Sequence, residues 1–159
     1  KQILKNWGGY GKYFYGGEDT FLCLKIIKAN YKILYDPDVV VYHHRRALFL
    51  PYLRQIANVG LHRGYFAKKF PETSRKYFYF VPSILALGFL GGTSLAFFDE
   101  RIRLIFFMLL TLFFILGIIS VFKIAGLAKS LVVSLAIILT HITYGLFFVK
   151  GLTIKKLER

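Results

Sequence analysis

Apolar positions follow two regimes along this chain. Residues 1–76 are polar and irregular, and apolar runs dominate from residue 77 onward. Three uncharged stretches, 77–98, 104–122 and 130–149, each approach the roughly 20 apolar residues that a bilayer crossing requires. Charges bound them: Arg75 and Lys76, then the run from Asp99 to Arg103, then Lys123 and Lys129, then Lys150. Lipid offers no water to satisfy a backbone, so all three are predicted to be helices joined by tight hairpins. Gly88 and Gly92 have the small-xxx-small spacing that lets helices approach closely. His141 is a polar residue in the third span. It reads either as a hydrogen bond to a neighbouring helix or as a functional site.

The first half alternates element types. Residues 19–29 read as a short helix with Phe21, Leu22, Leu24, Ile26 and Ile27 on its apolar face. Asp19 lies at its start, where the helix dipole favours negative charge, and Asn30 is its stop. Residues 31–35 carry a strand pattern, Asp36-Pro37-Asp38 is a turn, and Val39-Val40-Val41-Tyr42 reads as a buried strand. Residues 48–70 form an amphipathic helix leading to the membrane. Between Arg45 and Lys76 stand eight basic residues and one acid, Glu72, interleaved with aromatics. That composition suits a helix in the headgroup region.

Charge sharpens the picture. The 18.4 kDa chain has a formal net charge of +14 and a mean hydropathy of +0.52. High hydropathy with excess Lys and Arg points to a membrane protein that meets anionic lipid or phosphate. Basic residues beside aromatics also suit nucleic acid, but the adjoining spans exclude that partner. Cys23, the single cysteine, cannot form an internal disulfide and reads as a buried thiol. The chain begins with Lys1 and its one methionine is Met108, so a piece of a longer protein is expected. Basic residues flank both ends of the apolar half, Lys68, Lys69, Arg75 and Lys76 before it and Lys150, Lys155, Lys156 and Arg159 after it. Three crossings cannot place both groups in the cytoplasm. Either the tail is outside, or one segment does not cross.

Candidate chemistry lies in the first half. Only 8 of 159 residues are acidic, yet Glu18 and Asp19 are adjacent and follow Gly16-Gly17. The pair reads as a helix cap or as a carboxylate held in a cleft. His43-His44-Arg45-Arg46 reads as a basic, lipid-facing edge, or as imidazole and guanidinium groups set to meet a metal and a phosphate. Arg63, beside His62, is a further candidate anion contact.

Taken in order, Gly8-Gly9-Tyr10, Tyr15-Gly16-Gly17-Glu18-Asp19, Leu22-Cys23-Leu24-Lys25, Tyr31-Lys32-Ile33-Leu34-Tyr35 and Val41-Tyr42-His43-His44-Arg45-Arg46 resemble the C-terminal part of a family 2 glycosyltransferase catalytic domain. The resemblance covers residues 1–76, and the apolar tail fits membrane-anchored members. It implies an α/β fold over residues 1–47, the end of a GT-A, Rossmann-like domain. An interfacial helix region, 48–76, and about three transmembrane helices with a basic tail, 77–159, would follow.

The resemblance implies inverting transfer of a sugar from a nucleotide-sugar donor at the cytoplasmic face of the cell membrane. Asp19 matches the catalytic base and Glu18 its acidic neighbour. Gly8 and Gly9 match the glycine pair in the loop lining the sugar pocket; Gly17, Arg45, Arg46 and Arg63 are further substrate-binding candidates read from the residues themselves. His43, with His44 as second choice, matches the metal-side histidine. A divalent metal, Mg²⁺ or Mn²⁺, would be held mostly by the nucleotide-binding half and its Asp-x-Asp motif, which this chain lacks, so the chain alone is expected to be inactive. The Gln-x-x-Arg-Trp signature of processive synthases is missing, which points to single-sugar transfer. The acceptor is expected to be lipid-linked or a glycan, with polyprenyl phosphate itself as the runner-up. The contrasting reading is a non-catalytic membrane interaction module.

Overall fold

The computed structural model describes Lys5, Asn6, Gly8, Gly9 and residues 17–44 and 46–157. Among residues 17–157 as described, the helices in order are α1 Glu18–Lys28, α2 Leu50–Lys69, the single turn α3 Pro71–Ser74, α4 Val81–Leu95 and α5 Glu100–Thr153. A 3₁₀ turn, Tyr77–Tyr79, leads into α4. Among the described residues there is no strand, so the α/β expectation is overturned.

The failure is local and has a plain cause. Residues 31–35 and 39–42 have strand-like composition but remain irregular and exposed; Leu34, Tyr35, Val41 and Tyr42 are each at least 83% accessible. A strand is stable only when a neighbour pairs its N–H and C=O groups. Neither run finds such a neighbour among the described residues. Composition alone therefore did not make a sheet here.

The helices obey their local signals. Pro51, Pro71 and Pro82 sit in the first turns of α2, α3 and α4, where a missing N–H costs nothing. Asp99 caps α5: its Oδ1 accepts from the amides of Arg101 at 2.7 Å and Ile102 at 3.1 Å. Asn30 ends α1 in the left-handed region at φ 60°, with the Tyr31 amide donating back to the Ile26 carbonyl.

α5 is not one rod. Gly126 has φ 73° and ψ 173°, a conformation essentially reserved for glycine, and the chain reverses there. Unbroken, 54 residues would run about 81 Å; folded at Gly126, each arm is about 40 Å long. The arms, 100–125 and 127–153, lie antiparallel. The Phe113 ring meets His141 with centroids 5.9 Å apart, and Gly117 admits Ser134 so closely that a Cβ would lie 2.9 Å from its Oγ.

That register puts Phe106 level with the segment Gly145 to Phe148. α4 touches this same level at both ends: Pro82 lies against Gly145, and Gly92 against the Phe106 ring. α4 therefore crosses the two arms obliquely instead of running beside them. Of the sequence's Gly88 and Gly92 pair, Gly92 makes a close contact and Gly88 meets nothing within 4 Å.

α2 packs on the end of the second arm by backbone approach. A Cβ on Gly60 would sit 2.6 Å from the Tyr144 carbonyl oxygen, and one on Gly64 or Gly151 would collide with the facing backbone. Phe66 and Phe148 are fully buried at this junction, with Phe80 edge-on to Phe148 at 4.9 Å. Lys68 Nζ donates to the Ile154 carbonyl, so the basic end of α2 lies beside the basic tail.

Two helical segments are long and apolar enough to cross a membrane, Tyr77–Leu95 and Glu100–Thr153. Large apolar side chains, among them Leu104, Met108, Ile119 and Leu127, stand exposed on the α5 arms. Exposed apolar surface of this kind marks a contact with a membrane or another protein.

Candidate functional site

The acidic pair opens α1, and its two members do different things. Gly17 is the N-cap residue and carries no side chain to close the first turn. The Glu18 Oε2 accepts from the Gly17 amide at 2.8 Å. Asp19 points outward. Its Oδ1 accepts from the Thr20 amide at 2.6 Å and the Thr20 hydroxyl at 3.3 Å. Each acid thus accepts from one backbone amide at the helix start, and the Asp19 carboxylate faces solvent.

The helix start is held in place by α2. Gly17 is buried, and a Cβ there would lie 3.0 Å from the Phe66 ring and 3.6 Å from His62 Cβ. Phe21 and Phe70 meet with ring centroids 5.1 Å apart. Lys28 and Glu72 form an ion pair at 2.5 Å between the end of α1 and α3, and the bond from Lys28 holds the Glu72 carboxyl below its usual value. Asp19 thus sits on a helix clipped at both ends to the membrane-proximal part.

Asp19 borders a shallow pocket of about 400 Å³. Thr20, Cys23, Leu24 and Ile27 of α1 form one wall, and Glu72, Thr73 and Lys76 the other. Cys23 is exposed here, contrary to the buried thiol expected from its apolar neighbours. A broad apolar face on a short helix leaves part of itself outside, and Cys23 falls on that part.

A second polar cluster sits just behind the pocket. Arg63, half-buried on α2, donates from Nη1 to Ser74 Oγ at 3.2 Å, and its guanidinium lies over the Tyr79 ring at 4.9 Å. Ser74 is fully buried. Its hydroxyl lies 3.2 Å from Thr73 Oγ1, which itself donates to the Phe70 carbonyl at 2.8 Å. Thr73 therefore joins the Asp19 pocket to the Arg63 cluster. No carboxylate pairs with Arg63 among the described residues. Tyr144, whose carbonyl faces Gly60 one turn before Arg63, has a buried hydroxyl with no hydrogen-bond partner among the described residues. Leaving such a group unpaired costs about 1–3 kcal/mol. The sequence reading singled out Arg63 but missed Ser74, Tyr79 and Tyr144, which lie 11 to 81 positions away and carry no local motif.

The remaining candidates are dispersed. Gly8 and Gly9 adopt φ of 72° and 63°, with open space where a Cβ would stand. His43, His44 and Arg46 are exposed in the irregular segment after α1. Arg45 lies outside the described residues. His62 is buried, its Nδ1 donating to the Asn58 carbonyl at 2.8 Å. His141 Nδ1 donates to the Ile137 carbonyl of its own helix, not to a neighbouring one. It borders an apolar cavity of about 530 Å³ beneath α4, between the two arms.

Among the described residues no three His, Cys, Asp or Glu side chains converge as a metal ion requires. His43 is a lone imidazole, and Mg²⁺ or Mn²⁺ prefers oxygen donors. The described residues do not by themselves fit the expected metal. No family model, curated protein or solved structure matches the chain.

Proposed function

We propose that this chain is the acceptor-side, membrane-embedded part of an inverting glycosyltransferase, with Asp19 as its general base. The observation that carries the reading is the setting of Asp19. It is a solvent-facing carboxylate in the first turn of α1, at a pocket whose far wall includes Lys76 at the start of the apolar half. The ordered residues that resemble the glycosyltransferase family supply the reaction class.

The chemistry follows from the groups available. A carboxylate is the group this chain offers as general base. The Asp19 oxygen takes the proton of the acceptor hydroxyl. The acceptor oxygen then bonds to the anomeric carbon as the bond to the nucleoside diphosphate breaks on the opposite face. Arg46 and, in the same basic run, Arg45 are the groups of this chain offered to the departing phosphate charge. Gly8, Gly9 and Gly17 are its candidate sugar-side backbone.

The membrane arrangement belongs to the same proposal. The α5 hairpin crosses the bilayer twice, and α4 lies obliquely over it. Two crossings place α2, Lys68, Lys69, Lys150, Lys155 and Lys156 on one side. That meets the preference of basic residues for the cytoplasm, which three crossings could not.

The decisive experiment replaces Asp19 by Asn in the full-length polypeptide that carries this chain. Transfer from nucleotide-sugar to membrane acceptors is expected to fall by about 10²–10⁴-fold. Exposure of Asp19 means folding should be unchanged, as judged by thermal unfolding in detergent. Transfer at the wild-type rate would remove Asp19 from the role of base.

A further inference from the structure

We propose that the apolar cavity beneath α4 is a binding site for one hydrocarbon chain of a bilayer phospholipid. The inference rests on the preceding reading only in that the α5 hairpin lies in a bilayer. It uses neither Asp19 nor sugar transfer.

The packing of α4 leaves the space. Its two ends touch the hairpin closely: Pro82 lies against Gly145, and a Cβ on Gly92 would sit 2.5 Å from the Phe106 ring. Between these contacts, a Cβ on Gly88 would meet nothing within 4 Å. The gap is the cavity of about 530 Å³. Gly88 and Phe89 of α4 roof it, a stripe from Phe106 to Leu116 on the first arm forms one wall, and Ile138, His141 and Ile142 on the second arm form the other. Packed helices leave few voids larger than a water molecule, so a space of this size calls for an occupant.

Size and polarity select the occupant. A buried water needs about two to four polar partners. His141 is the one polar side chain in the lining among the described residues, and its Nδ1 already donates to the Ile137 carbonyl. A further transmembrane helix is too wide. Phe106 to Leu116 covers about 15 Å of helix, so the volume corresponds to a mean section of about 35 Å². A helix about 10 Å across with its side chains needs roughly 80 Å². An extended hydrocarbon chain is much narrower, and about 15 Å is half of the roughly 30 Å hydrocarbon core, the depth of one leaflet. The direction agrees. Phe106 lies toward the charged start of the first arm and Leu116 toward the Gly126 turn, so the cavity runs along the arms as a lipid chain does. Ile84, Leu85, Leu109 and Leu112 line it and are also exposed, so it opens sideways to lipid. No charged side chain lines it among the described residues, so it takes the chain without reading a headgroup. Burial of apolar surface supplies the affinity.

The test places the full-length polypeptide that carries this chain in phosphatidylcholine nanodiscs. The probe is phosphatidylcholine with a photoreactive diazirine at the middle of one chain, and peptide mass spectrometry locates the adducts. Adducts on Phe106, Phe113 and Ile138 are expected in excess of those on the outward-facing Leu104, Met108 and Ile119. Gly88→Leu fills the cavity from a position where a Cβ has room, and should lower the cavity adducts about tenfold. Gly91→Leu adds the same side chain to the same helix, also where a Cβ meets nothing within 4 Å, but outside the cavity lining. It should leave the adducts unchanged. Undiminished labelling in Gly88→Leu, or equal losses in the two variants, would overturn the site. A phosphatidylglycerol probe should label to the same extent, and a strong preference between the headgroups would overturn recognition by the chain alone. Added polyprenyl phosphate should not displace the label; displacement would assign the cavity to an acceptor lipid and overturn the proposal. The assay contains no sugar donor, so Asp19→Asn should label as the wild type does while losing transfer, and the two proposals fail separately.

Discussion

Glu18 and Asp19 show how adjacent residues of one chemical type take different tasks. Geometry assigns the difference: Glu18 reaches back to the Gly17 amide, and Asp19 does not. Glu72 shows the same logic in electrostatics. Its carboxyl is held below the ordinary value of 4.5, first by the bond from Lys28. A depressed folded value means the pair contributes fully above the ordinary value and loses its contribution as the pH falls through the lowered one. Both side chains are largely exposed, so the effect is modest and screened by salt. The expected outcome is acid-induced loosening of α1 from α3, seen as a change in amide exchange of α1 as the pH falls below the ordinary carboxylate range. Glu72→Gln should abolish that dependence. An unchanged acid response in the variant would rule the pair out as its source.

Helices here meet by backbone contact more than by large side chains. Gly60 and Gly64 on α2 face Tyr144, Phe148 and Gly151 on α5, and Gly145 faces Pro82 on α4. In an isolated helix Gly→Ala gains up to about 1 kcal/mol. Here the added methyl meets a carbonyl that cannot move without the helix. Gly64→Ala is therefore expected to destabilise the α2 junction by about 1–3 kcal/mol, the opposite sign. Chemical denaturation in detergent micelles reads the difference, and a stabilised variant would contradict the close approach. The sequence made this interface partly visible, since Gly60 and Gly64 have the spacing sought in the apolar half. Of the small-xxx-small pair in the first apolar segment, Gly92 meets the Phe106 ring and Gly88 meets nothing within 4 Å.

At the scale of the whole molecule, the hairpin at Gly126 sets where charge can lie. Lys68 bonded to Ile154 puts the end of α2 and the tail at one end, with Lys123 and Lys129 near the turn at the other. If the hairpin crosses twice, a membrane-impermeant amine reagent should label Lys155 and Lys156 from one face of sealed vesicles. Lys123 and Lys129 should react only from the other. Labelling of both groups from one face would exclude two crossings of α5.

Much was legible in the sequence because it depends on local periodicity and on the cost of burying charge. The apolar stretches, the amphipathic helix before them, the stop at Asn30 and the isolation of Glu18-Asp19 in a basic chain all follow from neighbours within a few residues. What sequence could not decide were quantities set by distant partners. Strand-like runs at 31–35 and 39–42 form no ladder, because a strand exists only with its pair. Gly126 turns one apolar run back on itself, and α4 lies across the result, because register between helices comes from where backbones fit closest. The grouping of Arg63, Ser74, Tyr79 and Tyr144 arises at that same junction, where four elements meet and no local pattern announces them.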